Sequence, residues 1–222
     1  MNHAPSRRAD MLASDAAIRS LLAEQDHRRA ATLILRSYGA ELLRFLHVRL
    51  RSSSDADEAF SMVCEDMWSG LPGFRGAASV RTWLFVLARS VASRVYIARK
   101  QTLQRRSFVE LELHDVIDHV RTTTAMFRKT SSKLLLRGLR EKLDDDQQTL
   151  MILRVDRGLS WKELAVVMHE ALPDSEGEEL ERASARVRTR FQVAKKRLRE
   201  LVEEAGVLRA GSDEGRATSS DP

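Results

Sequence analysis

WSGLPGFRGAASVRTWLFVLARSVASRVYIARKQTLQRR, residues 68–106, carries eight Arg or Lys side chains and no Asp or Glu. Pro72, Gly73 and Gly76 break its start, and a long helical periodicity follows. Ser79 is placed to cap a helix over residues 80–99. At helical pitch, Val80, Trp83, Leu84, Leu87, Ala88, Val91, Val95 and Ala98 share one side. Arg81, Phe85, Arg89, Tyr96, Arg99 and Lys100 gather in a separate arc. A stretch that is acid-free yet mostly apolar needs a core on one side and an anion on the other. Cations interleaved with rings suit a nucleic acid, because charge meets phosphate and rings stack on bases.

Towards the N-terminus, SSSDAD at 52–57 is a polar turn, and Ser54 or Asp55 can cap the next helix. That helix runs to about Trp68. Phe60, Val63 and Met67 form its apolar stripe, while Asp57, Glu58, Glu65 and Asp66 make it acidic. Residues 27–50 are helical by the recurrence of Ala31, Ile34, Leu35, Leu42, Leu46 and Leu50, with a small break expected at Gly39. Residues 1–26 are polar and Ala-rich, and they read as a partly disordered tail with at most a short helix near 16–23.

Towards the C-terminus, residues 101–133 lose the periodicity and read as a flexible linker. A second helical domain is expected over 134–206. One of Asp144, Asp145 and Asp146 can cap a helix that ends at Gly158. Ser160 and Glu163 form a capping box for the following short helix. The last helix is expected over about 183–204. Residues 182–199 again carry eight basic side chains and no acidic one. Val187, Phe191, Ala194, Leu198 and Leu201 form its inner stripe, with Thr189, Gln192 and Lys196 opposite, flanked by Arg186, Arg188 and Arg199. A capped short helix followed by a basic helix reads as a helix-turn-helix, and Arg, Gln and Thr are the side chains that pair with base edges. Residues 207–222 are rich in Gly, Ser and Asp and read as a disordered tail. The fold class is therefore all-α, with two helical domains joined by a flexible linker.

Composition narrows the function. The net charge is +5 over 222 residues, so the distribution of charge matters more than its total. One cysteine, Cys64, excludes an intramolecular disulfide and a cysteine-based zinc site, and it reads as a small buried hydrophobe. The six histidines lack metal-ligand spacing, and no nucleophile–base set or phosphate-binding loop is present. No metal, no cofactor and no catalytic residue is expected. The longest apolar runs are too short to span a membrane, so no membrane insertion is expected, and the expected location is the cytoplasm, associated with the nucleoid. Trp68, Trp83 and Trp161 read first as core residues.

Four segments resemble one family, the extracytoplasmic-function (group IV) sigma factors of the sigma-70 family. DADEAFSMVCEDMW is similar to the acidic helix called region 2.2, and LPGFRGAASVRTWLFVLARS to the signature that follows it. LDDDQQTLMILRVDRGLSWKELAVVM and ARVRTRFQVAKKRLREL resemble the two halves of region 4. The resemblance covers about 27–100, region 2, and most of 134–206, region 4. It implies a subunit that binds core RNA polymerase and directs promoter-specific initiation at the −10 and −35 elements. Asp55, Asp57, Glu58, Ser61, Met62 and Glu65 would dock on the β′ clamp helices. Phe74, Arg75, Arg81, Trp83, Arg89, Arg94, Arg99 and Lys100 would serve the −10 element. Arg186, Arg188, Thr189, Gln192 and Lys196 would enter the −35 major groove. The β flap, promoter DNA and an anti-sigma factor complete the implied partners.

The chain departs from the family pattern at Ser61 and Met62, usually Gln-Glu, at Cys64, usually Phe, and at Ser90, usually Asn. The largest departure is HEALPDSEGEELER, residues 169–182, where a short turn is usual. It is expected to be a loop or short acidic helix at the edge of the DNA-binding domain, able to repel phosphate or screen the Arg helix. Two other readings stand beside this one. One is a stand-alone dimeric helix-turn-helix regulator. The other is a protein-interaction scaffold without DNA function.

Overall fold

The computed structural model describes residues 4–105, 138–140 and 142–204, with side chains for 13–99 and for 138 onwards within those limits. The linker and C-terminal tail expected at 101–133 and 207–222 lie almost wholly outside them. The described residues fall into two compact units. One is drawn from Met1–Lys100 and Ile152–Val187, the other from Gln101–Met151 and Arg188–Pro222. Among the described residues every regular element is helical.

The first unit begins with α1 (Ala4–Ala23), where a tail was expected. Its sequence is weakly amphipathic, but Ile18 is fully buried and Asp15 accepts a 2.7 Å hydrogen bond from the Tyr38 hydroxyl on α2. Burial pushes the Tyr38 hydroxyl well above its ordinary pKa, and the Asp15 bond adds to the shift. Packing on the next helix orders a segment whose own pattern is faint, because packing outweighs propensity in most protein helices.

Helix α2 (His27–Leu50) starts at Asp26, whose carboxylate accepts from the Arg29 amide at 3.0 Å, and ends at Arg51 in the left-handed conformation. No break occurs at Gly39. The glycine is buried inside the helix, and a Cβ there would meet the Phe60 ring at 3.7 Å, an ordinary contact distance, so neither a kink nor close packing requires it. Helix α2 packs against both α1 and α3.

Helix α3 (Ser53–Gly70) is capped by Ser52, two or three residues before the expected positions, through a 3.2 Å bond from the Asp55 amide. A 3-10 turn at Leu71–Gly73 closes it, and α4 (Val80–Arg105) follows. Ser79 caps α4, accepting at 3.0 Å from the Thr82 amide. Val80, Leu84, Ala88 and Val91 are buried as the periodicity requires, but Arg81, Thr82, Phe85 and Ala92 are buried too. The Phe85 ring meets Phe45 of α2 edge to face, with centroids 5.5 Å apart. Helix α4 is enclosed on more of its circumference than a single apolar stripe indicates.

The later part of the first unit holds a π-helical turn at Ile152–Asp156, then Gly158 at φ +70, and α6 (Trp161–Val167). The capping box is complete: Ser160 accepts from the Glu163 amide at 3.2 Å, and Glu163 accepts from the Ser160 amide at 2.7 Å. In the second unit, α5 (Asp145–Met151) is capped by Asp144, which accepts from the Gln147 amide at 2.7 Å.

The last helix, α7 (Gly177–Glu204), begins six residues before the expected start at 183. Part of the acidic stretch is therefore its first turns. Glu178 and Glu179 sit where the helix dipole favours negative charge, which is the physical reason an acidic run can begin a basic helix. Ala183, Ser184, Val187, Phe191, Ala194 and Leu201 are its buried stripe.

Candidate nucleic-acid interface

The loop between α3 and α4 brings two rings together. Phe74 lies against Trp83, with centroids 4.8 Å apart and planes tilted by 38°. Trp83 is half-buried and presses on the end of α3, where a Cβ on Gly70 would come within 2.9 Å of its ring. Gly70 has ordinary helical dihedrals, so the glycine serves to make room for the indole rather than to reach an unusual φ. Arg75 is exposed at the tip, and Gly76 turns the chain at φ +73. The rings and the exposed Arg75 share one corner of the first unit.

The remaining cations of the acid-free stretch are less free than their spacing implied. Arg81 is not on an open face. Its Nε and Nη2 donate to the Glu41 carboxylate at 3.2 and 2.6 Å, and Nη2 also donates to the Arg157 carbonyl at 2.6 Å. Both partners of that ion pair are nearly buried, with side chains only 10% and 12% exposed. The Arg81 guanidinium also lies over Phe85 at 5.4 Å. Phe85 is a core ring and cannot stack on a base. Arg157 itself is half-buried, and burial lowers its pKa.

Arg89 donates to the Val167 carbonyl at 3.3 Å. Arg94 pairs with Asp66 at 2.6 Å and Arg99 with Asp55 at 3.1 Å, both carboxylates standing on α3. Arg94 keeps half of its side chain in solvent. The Lys100 side chain lies outside the described residues. Glu41 is the group that sequence reading passed over. It is a carboxylate three residues from buried Tyr38 and one before buried Leu42, and that placement was its only signal.

The acidic helix divides in the same way. Asp57, Glu58, Ser61 and Glu65 are exposed, Met62 is half-buried, and Asp55 turns inward to Arg99. Trp68 continues the exposed row at 53% accessibility, against the expectation of a core residue. Asp57 has His47 at 3.7 Å. Cys64 is half-buried; burial raises its pKa first and Glu65 second, so the thiol stays protonated.

On α7 the residues expected to face DNA are all exposed: Arg186, Arg188, Thr189, Gln192 and Lys196, with Lys195 and Arg199 beside them. Acidic groups meet the helix at defined points. Glu178 pairs with Arg182, Glu181 with Lys162 at 2.6 Å, and Glu170 with Arg186 at 2.9 Å. In the second unit Asp146 pairs with Arg190 at 2.6 Å. Trp161 is half-buried under the Arg154 guanidinium, which lies 4.3 Å from the ring centroid. Among the described residues no His, Cys, Asp and Glu cluster is arranged to hold a metal, and no helix is long and apolar enough to cross a membrane.

Comparison with known proteins places this geometry in context. The Sigma-70 region 2 family model matches residues 34–102, which take in most of α2, all of α3 and nearly all of α4. RNA polymerase sigma factor YlaC of Bacillus subtilis is 27% identical over 145 residues, covering 64% of this chain and 81% of its own. RNA polymerase sigma-H factor of Pseudomonas aeruginosa is 27% identical over 156 residues, covering 65% and 78%. Among solved structures, CnrH bound to the cytosolic domain of CnrY superposes with a TM-score of 0.57 at 18% identity, over 86% of this chain and 98% of that one. The sigma factor RpoE of Bartonella quintana, bound to the anti-sigma factor NepR, gives 0.53 at 16% identity, over 81% and 98%.

Proposed function

We propose that the chain works as an extracytoplasmic-function member of the sigma-70 family of RNA polymerase sigma subunits. It docks on core polymerase through α3 and reads a bipartite promoter. Catalysis belongs to the polymerase, and this subunit supplies specificity. The observation that carries the reading is the outer face of α7, where Arg188, Thr189, Gln192 and Lys196 stand exposed opposite a buried apolar stripe. A helix with that section fits the major groove, where Arg pairs with guanine and Gln with adenine.

At the −10 element the working parts are Phe74, Arg75 and Trp83, the paired rings and the cation at the loop tip. Arg94 and Arg99 can exchange a partly exposed carboxylate for a phosphate at small cost, since exposed ion pairs contribute about 0–1 kcal/mol. With Lys100 they form the duplex edge of that site. Arg89, part-buried and donating to the Val167 carbonyl rather than to a carboxylate, joins the set once that bond opens. Arg81 is withdrawn from the set, because its ion pair is structural. Asp57, Glu58, Ser61, Met62 and Glu65 form the polymerase-facing row, on the β′ clamp helices, and the β flap receives the C-terminal part of the chain. The named partners of the structural relatives extend the proposal to an anti-sigma factor, and promoter binding places the protein at the nucleoid.

The test is capture by core polymerase followed by run-off transcription from a promoter library. Retention on core enzyme, with initiation confined to templates sharing two spaced elements, is expected. Specific duplex binding by the free chain, without polymerase and at palindromic half-sites, overturns the proposal.

A further inference from the structure

The acidic stretch is the feature that the family pattern does not account for, and one of its residues has a defined geometry. His169 takes a left-handed conformation at φ +59 and turns the chain sharply after α6. The next amide, of Glu170, donates to the Ala165 carbonyl at 2.8 Å, and that of Ala171 donates to the same oxygen at 3.2 Å. The main chain of Glu170 is therefore fixed to the end of α6. From there Glu170 reaches α7 twice. Its carboxylate accepts from Arg186 Nε at 2.9 Å, and its carbonyl accepts from Arg186 Nη2 at 2.9 Å. The carboxylate side chain is 23% exposed and the arginine 54%.

One edge of the guanidinium is thus occupied by two oxygens of a single anchored residue. The other edge, Nη1 with the second Nη2 proton, has no partner among the described residues. Two parallel N–H donors on a solvent-facing edge match the O6 and N7 acceptors of guanine. An arginine on a flexible stem would lose several rotatable bonds on ordering against a base. Arg186 has already lost them to Glu170. The carboxylate also disfavours close approach of Arg186 to phosphate, because it repels the backbone charge.

We infer that Glu170 is a positioning and specificity-determining residue. It fixes Arg186 so that its free edge reads one guanine of the −35 element, and it lowers the affinity of the same arginine for phosphate. The inference rests on the promoter-reading role proposed above.

The experiment uses holoenzyme reconstituted with the full chain and a library randomised across the −35 element. Wild-type holoenzyme supplies the control that separates the two levels. If it shows no −35 preference, the promoter-reading role fails. If it does, Glu170→Gln is the informative variant, since the amide keeps the shape and can still accept from Nε while losing the charge. Expected for Glu170→Gln and more fully for Glu170→Ala is a drop of about tenfold in guanine preference at a single position. Binding to unrelated duplex should rise at the same time, with a steeper salt dependence. Arg186→Lys should lose the same position, and Arg186→Ala combined with Glu170→Ala should lose no more than Arg186→Ala alone. Circular dichroism melts confirm that each variant is folded. A uniform loss across all positions, an unchanged preference, or additive losses in the double variant each overturn the inference. A merely structural tie between the turn and α7 would give the uniform loss.

Discussion

Replacing Arg81 with Met tests whether that cation belongs to the core or to a DNA face. The substitution removes three hydrogen bonds, two to Glu41 and one to the Arg157 carbonyl. It leaves the Glu41 carboxylate, 12% exposed, without its counter-ion. Deleting one member of a buried ion pair costs about 3–5 kcal/mol, because the orphaned charge keeps its desolvation penalty. In a chain of this size each kcal/mol moves the melting temperature by about 2–4 °C. Arg81→Met should therefore melt about 6–20 °C lower. The double variant Glu41→Leu, Arg81→Met removes both charges and should recover most of the loss. The Arg157 carbonyl still lacks its donor, at a residual cost of about 1–2 kcal/mol. Urea and thermal unfolding followed by circular dichroism measure all three proteins. If Arg81→Met loses under about 1 kcal/mol while −10 recognition collapses, Arg81 is a DNA contact and the buried-pair argument is wrong. Failure of the double variant to improve on the single would sink it equally.

Gly70→Ala drives a methyl group to 2.9 Å from the Trp83 ring. Overpacking of that kind costs about 1–3 kcal/mol, while the helix gains up to about 1 from losing glycine, so a net loss of about 1–2 is expected in chemical denaturation. Ser160→Ala removes the capping box and should cost about 1 kcal/mol in the same assay. Tyr38→Phe should flatten the alkaline limb of stability. The folded pKa of Tyr38 is raised, so its contribution is complete below the ordinary value near 10 and is lost as pH climbs towards the folded value. Melting temperatures from pH 7 to 11 check this, and an alkaline limb identical to wild type refutes it. Lys196→Ala should lower the slope of log affinity against log salt by about 1 and leave base preferences alone, as measured by holoenzyme binding.

Much of this architecture could be read from residue order. The Ser79 cap, the Ser160–Glu163 box, the ending at Gly158 and the inner stripe of α7 depend on contacts a few residues apart, which sequence displays directly. Arg81 and Phe85 were misplaced for the opposite reason. A helical wheel assumes one buried side, while α4 meets α2 through Phe45 and Glu41 and also the carbonyl of Arg157, 76 residues on. Helix α1 was expected only as a short segment near 16–23, because its apolar pattern is faint and the Asp15–Tyr38 bond joins residues 23 apart. The early start of α7 was hidden by its charge. Glutamates after a glycine read as a loop or a separate short acidic helix until the dipole at a helix start is considered. In the candidate site, the exposed face of α7 and the Phe74–Trp83 corner were legible. The pairing of Arg99 with Asp55, and the choice of Glu170 as the partner of Arg186, were not, because 44 and 16 residues separate the partners.

The three tryptophans occupy three different settings, and that gives the protein optical reporters of its own. Trp68 is open to water on the row proposed to meet polymerase, Trp83 is wedged between Phe74 and the end of α3, and Trp161 lies under Arg154. An aqueous quencher should therefore reach Trp68 first. A phenylalanine in its place would leave emission from two sheltered indoles, so capture by an unlabelled partner could be followed through a single native side chain.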